Sequence, residues 1–229
     1  MSDLFKSFLE AWKLIASFDG ELYNIIVLTL IVTITSTFIS VIMAVPIGVF
    51  LGSKNFKGRR MILRIIYTLM GLPPVVAGLI VYLFLSRKGP IGSLQLLFTP
   101  TAMVIAQVLI VTPVITGLTI GAVKLRAKEV QETCKGIGLS TLKTLSMLFY
   151  ECRYPIISAL LAGYGRAVSE VGAVMLVGGN IQYKTRVITT SIVLETGKGN
   201  YDRALALGII LLFISFFINW IVQRFQEDI

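Results

Sequence analysis

Long, uninterrupted apolar blocks constrain this chain more than any other feature of its sequence. A helix needs about 20 mostly apolar residues to cross roughly 30 Å of hydrocarbon, and several blocks of the 229-residue sequence reach that length. The sequence is 55% hydrophobic and only 14% charged, whereas soluble domains are usually about 25% charged. The pattern therefore predicts an all-α integral membrane protein.

Five of these blocks are predicted to span the membrane. Their approximate ranges are 23–51, 61–85, 99–123, 154–177 and 204–222. Residues 22–229 are thus predicted to form one transmembrane domain. Residues 1–21 precede it and are predicted to form an amphipathic helix, because their apolar side chains recur at three- and four-residue spacing. Such a helix either lies in the lipid headgroup plane or packs against a partner, and the sequence favours neither alternative.

The net charge of +9 raises the question of nucleic-acid binding. We exclude it, because the basic residues are concentrated in the short segments between apolar blocks, where membrane topology places them. Segments 52–60 and 124–151 are the most basic of these, and by the positive-inside rule both lie in the cytoplasm. The amino terminus is then outside and the carboxyl terminus inside. Segment 178–203 is also basic, which weakens the contrast without reversing it.

Two ionisable residues lie within the fourth predicted span. Arg166 and Glu170 are four residues apart and, in a continuous helix, share one face. A charged group that faces lipid is unfavourable, so we expect both residues to face protein or a watery path and to pair with each other. The pair either holds helices together or borders the path of an anion.

Prolines interrupt three of the predicted spans, at Pro46, at Pro73 and Pro74, and at Pro113. Each proline frees a backbone carbonyl and can kink a helix. Broken helices at mid-membrane often line transport sites, although a static kink that serves packing is an equal alternative. The residues that we assign to a translocation path or a helix seam are Arg166, Ser169, Glu170, Pro73, Pro74 and Gln107.

The cytoplasmic segment 124–151 is too long for a simple connection between spans. It is predicted to contain a polar helix (RAKEVQETCK), a turn at Gly136 and Gly138, and a second helix with Ser140 as its N-cap. A connecting segment with structure of its own is expected to dock another protein. The alternative is a pair of helices that lies on the lipid surface.

The sequence carries no sign of chemistry of its own. It has no G-x-x-x-x-G-K-[ST] phosphate-binding sequence. It also has no histidine, and Cys134 and Cys152 do not form a C-x-x-C pair, so neither a metal site nor a disulfide framework is expected. No nucleophile–base pair stands out. We therefore predict a transporter component without a cofactor or a catalytic site; a non-transporting scaffold is a poor explanation of in-span charges and broken spans.

Residues 132–138 (ETCKGIG) resemble the EAA signature of ABC importer membrane subunits. Longer segments are similar to the tungstate permease branch, within the sulfate/molybdate/tungstate group of type I ABC importers. These segments are LPPVVAGL at 72–79, AMVIAQ at 102–107, GRAVSEVGAVMLVGGNI at 165–181 and TTSIVLET at 189–196. The similarity extends over nearly the whole chain after residue 20.

The resemblance implies a MetI-like transmembrane domain in the cytoplasmic (inner) membrane. Such a permease pairs with a second copy of itself, with two ABC ATPase subunits at the cytoplasmic face and with an extracytoplasmic oxyanion-binding protein. The residues that the resemblance assigns to ATPase coupling are Glu132, Thr133, Cys134, Gly136 and Gly138. The implied substrate is tungstate. Molybdate and sulfate, which are also tetrahedral dianions, are alternatives, and an ATP-independent anion transporter or channel is the alternative from a different class.

Overall fold

The computed structural model describes residues 12–13 and 20–227, with side chains to Arg224. Within residues 20–227 the chain forms nine α-helices and no β-strand. The helices are α1 Gly20–Ser53, α2 Arg59–Met70, α3 Pro74–Leu85, α4 Pro100–Gly136, α5 Thr141–Glu151, α6 Arg153–Val168, α7 Gly172–Gly178, α8 Ile188–Gly197 and α9 Tyr201–Glu227. Most of the predicted amphipathic helix at 1–21 lies outside the described residues.

Three of these helices, α1, α4 and α9, are long and apolar enough to cross a membrane. The pair α2 and α3 and the pair α6 and α7 each have the length and composition of one further span, which gives up to five among the described residues. The prediction of an all-α membrane protein is therefore confirmed.

The second and fourth spans are interrupted. The sequence predicted an interruption by proline in the second, within 61–85, but none in the fourth, within 154–177. At the other two predicted positions, Pro46 and Pro113, the helix continues past the proline. The second span breaks at Gly71–Pro73 because Pro73 adopts an extended conformation and Pro74 begins a new helix. Neither proline has an N–H to continue the ladder of the preceding helix. The fourth span breaks between Val168 and Gly172, where no proline occurs.

The described chain divides into two compact units. The first unit comprises Met1–Thr35, Pro73–Gln107 and Val168–Ile229, and the second unit comprises Ser36–Leu72 and Val108–Ala167. In the first unit α8 packs on α9 and α3 packs on α7. One core of this unit is formed by Leu22, Ile25, Ile188, Ala206, Leu207 and Ile210.

The second unit is built on close packing between α1 and α4. A methyl group placed on Gly48 would lie 2.6 Å from Cβ of Thr119, and one placed on Gly52 would lie 2.8 Å from Cβ of Val123. Glycines four residues apart present a flat strip on which a second helix packs closely, as is common within membranes. The adjoining apolar core includes Val45, Val49, Ile115, Leu148 and Ile156.

Burial distinguishes the long spans from one another. In the most apolar window of α4, 61% of residues are buried, whereas the corresponding value for α9 is 17%. Helix α4 is therefore largely covered by the rest of the chain. Helix α9 leaves large side chains such as Phe213, Phe216 and Trp220 exposed, and lipid or a partner must cover them.

Candidate functional site

The transmembrane part and the predicted coupling segment belong to one helix. Helix α4 runs without a break for 37 residues from Pro100 to Gly136. The sequence predicted a span that ends near residue 123 and a separate polar helix after it. The structure differs because nothing in the intervening residues disrupts a helix: Pro113 is tolerated inside α4, and no proline or helix-ending glycine follows until Gly136. Residues 124–136 therefore continue the rod that begins in the membrane.

Gly138 ends this rod through its backbone conformation. Its φ is +71°, in the left-handed region that side chains disfavour. The N–H of Gly138 donates to the carbonyl of Lys135 at 3.1 Å, and the N–H of Leu139 donates to the carbonyl of Cys134 at 2.9 Å. These two bonds form a Schellman motif, in which the residue after the C-cap is usually glycine. The left-handed backbone of this turn thus explains why the second glycine of the ETCKGIG segment is at position 138.

A second helix, α5, begins at Thr141, three residues after Gly138. Ser140 occupies its N-cap position with φ −65° and ψ 158°, as predicted, although its side chain makes no capping hydrogen bond. A cleft of about 200 Å³ is lined by residues from the end of α4 and from α5, including Arg126, Glu129 and Met147. The turn and both helix ends therefore present a shaped surface.

Four of the five predicted coupling residues face solvent. Glu132, Thr133, Gly136 and Gly138 are exposed, and each could contact another protein. Cys134 differs, because only 2% of it is exposed and it contributes to the wall of the cleft. Cys134 is placed to support the surface from behind rather than to contact a partner. The role of all five residues in coupling stays a prediction.

Two side chains tie the end of α1 to neighbouring segments of the second unit. The Nε2 amide of Gln131 on α4 donates to the carbonyl of Ser53 at 2.7 Å, and Nε of Arg59 on α2 donates to the carbonyl of Leu51 at 2.8 Å. The last carbonyls of a helix have no partner within it. These bonds therefore give two terminal carbonyls of α1 a hydrogen-bond partner. The bond from Gln131 also attaches α1 to α4, the helix that carries Glu132.

Arg166 and Glu170 do not lie on one face of a single helix, and this prediction is wrong because α6 ends at Val168. Glu170 is in the break between α6 and α7, where only 4% of it is exposed. Its Oε1 accepts a hydrogen bond from the N–H of Ala173 at 3.0 Å, and its carbonyl accepts one from Oγ1 of Thr189. Glu170 thus holds the break in place within the first unit. Pairing with Arg166 stays a prediction.

The other residues predicted for a path or a seam differ in burial. Gln107 is 3% exposed and lies within packed protein, as a seam residue would. Pro73 and Ser169 are exposed and Pro74 is half-buried, and all three lie at or beside a helix break. Each break therefore includes at least one residue that this chain leaves exposed.

One arginine of the basic segment 178–203 is paired within the chain. Arg186 donates from Nη1 to Oε1 of Glu21 at 2.9 Å, with only 16% of the arginine side chain exposed. A basic residue in such a segment could meet a partner or an anion, or could be an ordinary solvated charge. Arg186 fits neither, because its partner lies in its own chain, at the start of α1.

The sequence reasoning passed over Arg64. It lies inside the predicted span 61–85, four residues after Arg60, and both are exposed. Tyr67 and Thr68 follow at the spacing that places them on the same side of α2. A periodicity search within the span, rather than a count of charges between spans, would have found this polar stripe.

The chain is similar in sequence to known membrane transport proteins. The family described as binding-protein-dependent transport system inner membrane component matches residues 44–229. The chain is 42% identical over 228 residues to the tungstate uptake system permease protein TupB of Peptoclostridium acidaminophilum, which covers 100% of both chains. It is 38% identical to a probable anion ABC transporter permease protein of Haloferax volcanii, over 90% of this chain and 91% of the relative. It is 39% identical to TupB of Campylobacter jejuni, over 76% of this chain and 72% of the relative.

Proposed function

The chain belongs to the family of binding-protein-dependent transport system inner membrane components, and from this premise we propose that it is the membrane subunit of an ATP-driven importer of tungstate. Two relatives named as tungstate uptake permeases support this substrate, one of them over the full length of both chains. A third relative is named only as an anion permease. Molybdate and sulfate are therefore the alternatives to test, because tetrahedral dianions of similar size present the same charge to a transporter.

The proposal includes three partners. A second copy of the chain would complete the path, since up to five spans are few to enclose one and α9 leaves most of its surface uncovered. An extracytoplasmic binding protein would deliver the oxyanion. Two ATPase subunits would supply the energy, because the sequence has no phosphate-binding loop. The chain itself would then be a transport subunit without catalysis.

The observation that carries the coupling part of the proposal is the continuity of α4. A helix rises 1.5 Å per residue, so the 37 residues of α4 form a rod of roughly 55 Å. One end of this rod has the composition of a membrane span and the other carries Glu132. An ATPase that moves the exposed turn at 136–138 would therefore move a membrane helix with it. No hinge separates the two parts, since the first left-handed residue after the start of α4 is Gly138.

The test exploits two glycines two residues apart. A methyl group on either Gly136 or Gly138 would meet no atom within 4 Å, but only Gly138 has a positive φ. Gly138→Ala is expected to strain the turn by about 1–2 kcal/mol, whereas Gly136→Ala places alanine at the end of a helix without strain. In cells that carry the complete importer, we expect tungstate uptake to fall several-fold in Gly138→Ala and to stay near the wild-type rate in Gly136→Ala.

Glu132→Arg is the complementary variant, because it reverses an exposed charge and leaves the packing intact. We expect this variant to assemble with the ATPase poorly or to hydrolyse ATP without uptake, measured on purified complexes in liposomes. Normal uptake in a Glu132→Arg/Gly138→Leu double variant at normal expression would refute the coupling role. Uptake by the isolated permease without any ATPase would instead favour an ATP-independent transporter.

Substrate identity is tested separately by competition. Wild-type cells are given tungstate with a tenfold excess of molybdate or of sulfate, and intracellular tungsten is measured by mass spectrometry. We expect sulfate to have little effect on tungstate uptake. Near-complete suppression of tungstate uptake by the tenfold excess of molybdate or of sulfate would assign the transporter to that anion or to the whole group.

A further inference from the structure

We propose that Arg60 and Arg64 on α2, with Tyr67 and Thr68, form a stripe that contacts the transported oxyanion between the cytoplasmic end of α2 and the break at Gly71–Pro73. This inference rests on the proposed function, because it assumes that the cargo is a dianion. It adds a specific contact surface on one helix.

The four side chains share one side of α2. They lie at positions i, i+4, i+7 and i+8 of a continuous helix, and all four are exposed. The exposed apolar side chains Met61, Ile62 and Ile65 lie on another side of the helix. Helix α2 is therefore two-sided, and no residue of it is buried by the rest of the chain.

The neighbouring Arg59 has a structural contact that Arg60 and Arg64 lack. Arg59 donates from Nε to the carbonyl of Leu51 at 2.8 Å and so caps α1. No ion pair joins Arg60 or Arg64 to a carboxylate among the side chains that the structure describes, which end at Arg224. Glu21, Glu129 and Glu195 each pair with a different basic residue. No described carboxylate therefore neutralises Arg60 or Arg64.

The stripe does not suit a surface that faces lipid. Helices α2 and α3 have the length and composition of a span only together, as a broken span or a re-entrant loop with a bend of 102° between them. In either arrangement an arginine within the membrane is expected to face protein or a watery cavity. The break that follows strengthens this point. Gly71 and Pro73 are exposed, and irregular backbone at membrane depth is tolerated only where protein or water covers it.

The chemistry of the stripe fits a tetrahedral oxyanion. A guanidinium group presents several N–H donors in a plane and binds oxyanions through two parallel hydrogen bonds. Hydroxyl groups such as those of Tyr67 and Thr68 can add single donors. From Arg60 to Thr68 the stripe covers eight residue steps, or roughly 12 Å along the helix. An anion that moves along α2 could therefore remain in contact with hydrogen-bond donors from one end of the helix to the other.

Anionic lipid headgroups have the same phosphate-like chemistry and are the competing occupant. They would explain Arg60 at the end of the helix, where the bilayer surface lies. They would not explain a stripe that continues one and two turns further toward the break. Charge complementarity along the whole stripe therefore favours the transported dianion.

The first test uses charge removal with a matched control. Arg64→Gln is compared with Lys57→Gln, which removes one positive charge from the exposed turn just before α2. Both are measured in the complete importer in liposomes. We expect Arg64→Gln to lower tungstate uptake at least tenfold while ATP hydrolysis stimulated by the loaded binding protein stays within twofold of wild type. Lys57→Gln is expected to transport normally, and Arg64→Lys to recover part of the loss.

A second variant covers the case in which Arg64→Gln fails to assemble. Arg64→Cys is labelled with a water-soluble thiosulfonate that carries either a positive or a negative charge. The native cysteines are 2% and 1% exposed, so they are shielded from the reagent. We expect the positive label to restore uptake, the negative label not to restore it, and tungstate to slow the labelling.

Four results would refute contact between the stripe and the transported anion. Two concern uptake: normal uptake in Arg64→Gln, and equal uptake with either label on Arg64→Cys. The other two are labelling that tungstate does not slow and a defect that appears only in liposomes rich in anionic lipid. The last result would assign the arginines to headgroups. A wild-type complex that transports no oxyanion at all would refute the proposed function instead, so the two failures are distinguishable.

Discussion

Glu195 is a buried carboxylate held by two side-chain donors. It is 6% exposed, its Oε2 accepts from the side-chain amide of Asn200 at 2.8 Å and its Oε1 accepts from Nζ of Lys198 at 2.9 Å. The bond from Asn200, followed by that from Lys198, lowers the pKa of Glu195 below its usual value. Both bonds favour the charged form, and burial opposes them. Glu195 thus fixes the turn between α8 and α9.

This arrangement predicts a pH-dependent effect of Asn200→Ala. Because the folded-state pKa of Glu195 is lowered, its stabilising contribution is present above its ordinary pKa and is lost as the pH falls through the lowered value. Removing the strongest donor should therefore destabilise the protein by about 1.5–3 kcal/mol at pH 7, and the difference should shrink in acid. Thermal unfolding in detergent from pH 7 to pH 2.5 measures it.

Asn55→Ala, the same change at an exposed loop position, is the control for that experiment. At every pH, the unfolding temperature of Asn55→Ala should equal that of the wild type. A penalty for Asn200→Ala that is equally large at pH 2.5 and pH 7 would mean that Asn200 acts through packing and not through the charge of Glu195.

At the scale of elements, the contact between α1 and α4 depends on the absence of a side chain. Gly48 and Gly52 lie against Thr119 and Val123, where a methyl group would come within 2.9 Å of side-chain atoms. The same two helices also share a hydrogen bond between the hydroxyls of Thr112 and Ser40 at 3.2 Å. Small residues and hydroxyl groups are the usual means of helix association where lipid removes the hydrophobic driving force.

Two glycine-to-alanine changes should therefore have opposite effects. Alanine ordinarily stabilises a helix interior by about 0.5–1 kcal/mol relative to glycine. We expect this gain at Gly121, an exposed position within α4 where an added methyl group meets nothing within 4 Å. At Gly48 we expect a loss of about 1–3 kcal/mol from overpacking. Unfolding of each purified variant in detergent measures the sign, and stabilisation by Gly48→Ala would show that α1 and α4 are not in close contact.

For the whole molecule, the proposed orientation has the amino terminus outside and the turn at 136–138 in the cytoplasm. It rests on the basic segments 52–60 and 124–151. If it is right, the Arg186–Glu21 pair lies on the outer side and the α4 rod delivers motion from the ATPase into the membrane. The orientation therefore decides whether the coupling proposal is physically possible.

Thiol labelling tests the orientation directly. Glu132→Cys places an exposed thiol one helical turn before the end of α4. We expect a membrane-impermeant maleimide to label it in inside-out vesicles and not in intact cells. Lys184→Cys, in the basic outer segment, is expected to show the opposite pattern. Labelling of the position-132 thiol in intact cells would reverse the topology and remove the coupling proposal.

The sequence by itself determined the class of the molecule and the approximate place of its spans, because about twenty apolar residues have only one stable arrangement in lipid. It also identified Gly138 and Ser140 as turn and cap, since these are local preferences of the backbone. Tertiary structure decided what depends on contacts distant in sequence. It joined the span of α4 to its polar extension, placed Glu170 beyond the end of α6, and supplied Arg186 with a partner 165 residues away. Periodicity records which side of a helix is polar but not what covers that side. The sequence could therefore have located the polar stripe on α2, but only the folded chain shows that the described residues leave it exposed.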